Sequence, residues 1–359
     1  MSKLKGSFLR KTLYAENFFY ITKKGAYVST IKVMEFLMNM LRAIAEIRNP
    51  VFDLFFSVIT RLGEEVFFLA AAIFFFWCVN KRQGYFVLIT GLFGTVLNQG
   101  AKLLFRIPRP WVIDPTFEVV GDAKVAATGY SFPSGHTQNA AGTLGAVAAY
   151  KAKWKKVVIC IVVILLVGFS RMYLGVHTLL DVGVSLIFAA CLVLLLRPVF
   201  EDDAKYDKYM PWIVAAGVVF SFILLGYVLL ISGDETLDPH NYESGLKNAC
   251  TLIGCTLGLI PTYIVDRKYT KFETSARWYA QIIKVAVGLG VVLAIKSGLS
   301  APLTALCAGN AYAGRIIRYF LIVLFAGVLW PMTFKWFGSL RIAKLDALTE
   351  KVAAKLRKS

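Results

Sequence analysis

Eight apolar runs of roughly membrane-spanning length recur along the chain, at 66–80, 85–105, 157–174, 178–196, 211–232, 245–265, 280–299 and 315–337. A bilayer offers no water to stray backbone polar groups, and no run alternates polar and apolar residues at strand period, so the spans are read as helices. A short apolar helix is expected from Pro50 to Gly63, and a small-residue helix at 135–150 suits tight packing inside a bundle. Together these give about ten transmembrane segments. The expected fold is an all-α integral membrane protein, a six-helix core with about four additional C-terminal helices. Composition agrees: 57% of residues are hydrophobic, 17% are charged and the mean hydropathy is +0.63.

A net charge of +18 would suit nucleic acid if the cations shared one soluble face. They fall instead in clusters between apolar runs: Lys81 and Arg82; Lys151, Lys153, Lys155 and Lys156; Arg197, Lys205 and Lys208; Arg267, Lys268, Lys271 and Arg277; and a basic tail from Lys335. The loops 233–244 and 300–313 hold no lysine or arginine. By the bias of basic residues toward the cytoplasmic side, both termini are cytoplasmic, while 106–134 and the turn from Arg171 to His177 face outward. No nucleic-acid partner is expected. The six cysteines lie mostly inside apolar runs with no CxxC pair, and read as small core residues.

Residues 1–49, rich in lysine and aromatics and helical in period over 31–48, are expected as a cytoplasmic or interfacial amphipathic segment. A core follows at 50–197, a charged linker at 198–210, further transmembrane helices at 211–337 and a basic cytoplasmic tail at 338–359. Lys284, Lys296, Arg315 and Arg318 lie near or inside the later apolar runs, which fits either snorkelling at helix ends or contact with a lipid anion. Trp212, Trp278, Trp330 and Trp336 read as interfacial anchors.

Three polar clusters share the outward face. In SRMYLGVHTLLD, residues 170–181, His177 and Asp181 are four apart and share a helix face, so the carboxylate can hold the imidazole in one tautomer. That arrangement prepares a nucleophile or a general base, and Arg171 adds a forked cation for an anion. The same three residues also fit a structural ion pair beside a hydrogen-bonded histidine. In KLLFRIPRP, Lys102 and Arg109 stand near a span's end, where cations are costly unless they meet an anion or reach water. In SFPSGHTQNA, Ser134, Gly135 and His136 open a helix whose free N–H groups form an anion site. The third histidine, His240, lies in an acidic loop, so a three-histidine zinc site is not expected.

These clusters form one ordered pattern: Lys102 with six residues before Arg109-Pro110, Pro133-Ser134-Gly135-His136, then Ser170-Arg171 with five residues before His177 and three before Asp181. The pattern resembles the three-part signature of the type 2 phosphatidic acid phosphatase superfamily. Eleven positions match in order, each at about one chance in twenty. The resemblance covers residues 50–197, and the sequences around Gly63-Glu64-Glu65 and 170–181 look most similar to the sphingosine-1-phosphate phosphatase branch.

The resemblance implies a membrane lipid phosphatase that hydrolyses a lipid phosphate or isoprenoid pyrophosphate through a phosphohistidine. His177 is then the nucleophile, Asp181 its orienting partner, and His136 the acid that protonates the leaving group and the base that activates water. Lys102, Arg109, Arg171, Ser134 and Gly135 bind the phosphate, with no metal and no cofactor. An outward site at the ends of spans suits an amphiphile whose tail stays in lipid, so the membrane supplies the substrate and the plasma membrane is the expected location. Undecaprenyl pyrophosphate, phosphatidate, phosphatidylglycerol phosphate and sphingoid-base phosphates all fit. A phosphotransferase passing the same phosphoryl group to a lipid acceptor stays open. An anion or lipid transporter is the weaker alternative, since neither an internal repeat nor matched broken helices are visible.

Overall fold

The computed structural model describes residues 24–347, and the regular structure among them is helical throughout. The residues before 24 in the N-terminal segment, and those after 347 in the basic tail, lie outside the described residues. The main helices are α1 (Lys24–Ala45), α2 (Pro50–Ile59), α3 (Glu65–Phe74), α4 (Lys81–Phe105), α5 (Gly135–Ala149), α6 (Trp154–Tyr173), α7 (Leu179–Glu201), α8 (Asp203–Leu230), α9 (Pro239–Val265), α10 (Trp278–Gly298) and α11 (Ala311–Leu324). Seven spans among the described residues are long and apolar enough to cross a membrane, or eight if Pro50–Gly63 and Glu65–Val79, bent by 53°, are one broken span. The chain is an integral, multi-pass membrane protein. Of the segments expected, α5 is too short to pass that test, with 15 residues, and α2 and α3, with 10 each, belong to the pair that passes only together.

The chain divides into two compact units, one of residues up to Ala72 with Tyr85–Ile253, the other of Ile73–Gly84 with the residues from Gly254 on. In the first, α5 packs against both α6 and α7. Its small residues allow this: Ala140 and Ala146 are fully buried, and a Cβ on Gly145 would stand 3.2 Å from Val193 of α7. Part of the segment expected as cytoplasmic or interfacial packs against the core that follows it. Met38 and Leu41, spaced to share one face of α1, pack with Phe117, Met172 and Val182, and Arg42 pairs with Asp114 at 2.8 Å. The expected linker at 198–210 is also helical apart from a break at Asp202, whose carboxylate accepts from Lys205 N and starts α8. Pro211 sits inside α8, as membrane helices tolerate.

In the second unit Lys284 does not snorkel. It is 1% exposed, donates Nζ to Trp77 O at 2.8 Å and Thr274 O at 3.3 Å, and lies 4.4 Å from the Phe334 ring centroid. Its positive charge is thus spread over carbonyl oxygens and an aromatic face. Trp212, Trp278 and Trp336 are exposed, as anchors should be, whereas Trp330 turns inward and donates Nε1 to Lys284 O at 3.2 Å.

Candidate active site

Every sequence-predicted site residue falls within the first unit. Lys102, Arg109, Arg171, His177 and Asp181 are each 6% exposed or less. Asp181 is fixed by the first turn of α7. Thr178 caps that helix, its hydroxyl accepting from Asp181 N, while Asp181 Oδ2 accepts from Thr178 N at 2.7 Å. The same oxygen accepts from Ser131 Oγ at 2.6 Å and stands 3.4 Å from His177 Nδ1. The Thr-x-x-Asp spacing of this capping box was readable in the chain.

His177 sits in the turn between α6 and α7, closed by Val176 N and His177 N donating to Arg171 O at 3.1 and 3.3 Å. Gly175 takes φ +80° there, and a Cβ on it would come within 2.8 Å of both Arg48 Nη2 and Phe117. Arg48 holds the turn from outside, donating to Tyr173 O at 3.0 Å and Glu118 O at 2.9 Å. Tyr173 in turn donates its hydroxyl to Asp53 at 2.6 Å. Burial, and then the Arg109, Lys102 and Arg171 charges, hold the His177 pKa well below the ordinary histidine range, so the ring is neutral at neutral pH.

Four successive carbonyls, from Thr128 to Ser131, secure two of the cations. Arg109 donates Nη2 to Thr128 O at 2.7 Å and Nε to Gly129 O at 3.1 Å, and Lys102 donates Nζ to Tyr130 O and, at 3.4 Å, to Ser131 O. Arg109 Nη1 also reaches Val176 O and His177 Nε2, both at 3.0 Å. Arg171 donates Nη1 to the Thr60 hydroxyl at 2.6 Å and leaves Nε unpaired. The hydrogen-bond partners of all three cations are neutral oxygens and an imidazole, so their charge stays available to an anion.

Ser134 caps α5: its Oγ accepts from Thr137 N at 3.4 Å and Thr137 Oγ1 at 3.0 Å, which leaves its own hydroxyl proton to donate. Gly135 opens the helix, where N–H groups lack intrahelical partners. His136 lies within electrostatic reach of His177 and of all three cations. Its backbone abuts Gly63, on which a Cβ would stand 2.6 Å from His136 O. Thr60 and Arg48 were missed because they act from distant stretches with no spacing to betray them, and Ser131, though it opens the SFPSGHTQNA stretch, because its partner Asp181 lies 50 residues on. Among the described residues, no three histidine, cysteine, aspartate or glutamate side chains are grouped to hold a metal ion.

The structure thus sets a buried imidazole between a carboxylate and a guanidinium, with Lys102 and Arg171 also buried. Residues 81–205 match the model of the PAP2 superfamily, and residues 250–343 match its transmembrane extension, described as "PAP2 superfamily phosphatase, transmembrane extension". The chain is 30% identical over 182 residues to phosphatidylglycerophosphatase B of Bacillus subtilis, covering 46% of this chain and 82% of that protein. It is 33% identical over 144 residues to undecaprenyl-diphosphatase BcrC of the same organism, covering 39% of this chain and 71% of that one. Human sphingosine-1-phosphate phosphatase 2 is 27% identical over 184 residues, but only 45% of its length is covered, against 50% of this chain. A crystal structure of a transmembrane PAP2-type phosphatidylglycerolphosphate phosphatase from Bacillus subtilis is similar at a TM-score of 0.41 and 26% identity, covering 54% of this chain and 94% of that one. By the matched signature region and the similarity to relatives covered over most of their length, the chain belongs to the PAP2 superfamily.

Proposed function

We propose that the chain is a membrane lipid phosphatase that moves the phosphoryl group of a lipid phosphate or isoprenoid pyrophosphate first to His177 and then to water. The observation that carries this reading is the setting of the His177 ring. An arginine can only donate, so the Arg109 Nη1 contact at 3.0 Å leaves the lone pair on Nε2 and the proton on Nδ1, facing Asp181. Nε2 therefore presents an electron pair toward the cations that would hold a phosphate. His177 Nε2 attacks phosphorus; His136, whose pKa burial and the three cations hold low in the free enzyme, takes a proton once the bound phosphate's negative charge offsets them and gives it to the departing alkoxide; Asp181 stabilises the charged phosphoimidazolium. Lys102, Arg109, Arg171, the Ser134 hydroxyl and the Gly135 amide neutralise the three equatorial oxygens, work that a metal ion does in other phosphoryl-transfer sites, so turnover needs no metal.

The relatives' names, covering phosphatidylglycerophosphate, sphingosine-1-phosphate and undecaprenyl diphosphate, support a lipid substrate. The absence of basic residues from loops 233–244 and 300–313 supports a site on the outer face, and we assign the enzyme to the plasma membrane. The test is phosphate release by purified protein in EDTA from undecaprenyl pyrophosphate, phosphatidate, phosphatidylglycerol phosphate and sphingosine-1-phosphate. The reading expects at least one to be cleaved. Folded protein that cleaves none, or that needs added Mg²⁺ or Zn²⁺, contradicts it.

A further inference from the structure

Thr90, Gly94, Asn98 and Lys102 stand at four-residue intervals on α4, so they form one stripe that climbs to the site. The stripe faces α5 with polar groups set against glycines. A Cβ on Gly135 would stand 3.8 Å from Asn98 Oδ1, one on Gly94 2.6 Å from Gln138 Nε2, and one on Gly142 3.5 Å from Thr90 Cγ2. Asn98 and Gln138 are 2% exposed and Thr90 is 0% exposed. Yet both polar atoms of the Asn98 amide, both of the Gln138 amide and the Thr90 hydroxyl meet no hydrogen-bonding group of the protein.

Buried amides without partners are costly, and a bundle in lipid could seat leucine at these places without that cost. The groups therefore serve something small that can both donate and accept. A buried water fits, since it makes about three hydrogen bonds to such groups, and Asn98 lies beside Gly135 with space for a methyl-sized body between them. Asn98 is also only about 6 Å along the helix axis from Lys102. Gly135 opens the helix whose first turn carries His136, so whatever the stripe holds lies beside that turn.

We propose that Asn98 and Gln138 are positioning residues for the hydrolytic water, held in the α4–α5 interface and passed to His136. This rests on the phosphohistidine reading above. After the first step His136 is neutral and His177 carries the phosphoryl group on Nε2 as a phosphoimidazolium. Water gives one proton to His136, its oxygen bonds to phosphorus, and the P–Nε2 bond breaks with its electron pair returning to His177. His177 ends neutral with its proton on Nδ1, His136 ends as the imidazolium, and hydrogen phosphate leaves.

The test compares the full-length enzyme with Asn98→Leu and Gln138→Leu, each in lipid nanodiscs with a radiolabelled lipid phosphate that the wild type cleaves and with glycerol as a competing acceptor. The proposal expects release of the lipid alcohol in the first turnover to be unchanged. Phosphoenzyme hydrolysis should slow about tenfold, equivalent to about 1.4 kcal/mol, so phosphoenzyme accumulates and the ratio of glycerol phosphate to inorganic phosphate rises. A purely structural defect slows both steps and leaves that ratio alone, which overturns the proposal, as does an unchanged ratio in two active variants. Should the leucine variants not fold, a wild-type density map that resolves water decides the matter: water bonded to Asn98 and Gln138 supports it, and a dry contact or a substrate hydroxyl there overturns it. A wild type that forms no phosphoenzyme removes the underlying reading instead, a result distinguishable from either.

Discussion

Arg109 Nη1 stands 3.0 Å from His177 Nε2, on the ring edge away from Asp181. The guanidinium itself is moored by the carbonyls of Thr128, Gly129 and Val176. The imidazole is thus flanked at both edges, by a donor at Nε2 and by a carboxylate 3.4 Å from Nδ1. The predictions below follow from what holds these two residues in place.

Ser131 donates to the buried Asp181 carboxylate at 2.6 Å. Ser131→Ala removes a hydrogen bond to a charged group, worth about 1.5–3 kcal/mol, and loosens the carboxylate that orients His177. The expected result is a lower unfolding midpoint together with a kcat reduced by about tenfold or more, with KM little changed. A variant with wild-type kcat contradicts the role given to Ser131.

Gly63 lies against the backbone of His136, where a methyl group would meet its carbonyl oxygen at 2.6 Å. Backbone cannot swing aside as a side-chain tip can. Gly63→Ala should displace the start of α5 and lower kcat/KM by about a hundredfold, for a stability cost of about 1–3 kcal/mol. Activity and thermal midpoint measured on the same preparation check both parts.

Arg48 donates through two different nitrogens to Tyr173 O and Glu118 O. A lysine ammonium cannot reproduce that fork. Arg48→Lys and Arg48→Ala should therefore both loosen the turn from Arg171 to His177 and cut kcat by about tenfold. Restoration of full activity by lysine would show that charge alone matters there.

The depressed pKa of His177 makes stability depend on pH in a defined direction. The unfolded chain's histidine titrates at about pH 6.5, the ordinary value for the side chain, while the folded one stays neutral below that. Stability from the neutral, buried ring is complete above that pH and is lost as pH falls below it, by up to about 1.4 kcal/mol per pH unit. Between about pH 7.5 and pH 5, the wild type should lose more in thermal midpoint than His177→Gln does. Parallel loss in the two proteins is the contrary result.

Much of the site was legible because its chemistry needs fixed residue types at fixed helical spacings. His177 and Asp181 share a face by being four apart, and Ser134 announces a helix start. Thr60, Ser131 and Arg48 were not legible, since each reaches the site across 50 or more residues of chain. The helical state of 198–210 was hidden for a different reason. Its charges looked like a solvated linker, yet Asp202 caps the next helix, and a proline inside a membrane helix breaks it less than in water. Likewise the polarity of α1 masked the single apolar face that packs beside Met172.

The most direct test of the account is to quench a reaction with radiolabelled lipid phosphate and locate the label on the protein. The account predicts an acid-labile, base-stable phosphoryl group on His177 that appears and decays at rates matching turnover in EDTA, and none in a folded His177→Ala variant, which should also be inactive. Label on any other residue, or substantial turnover by His177→Ala, contradicts it.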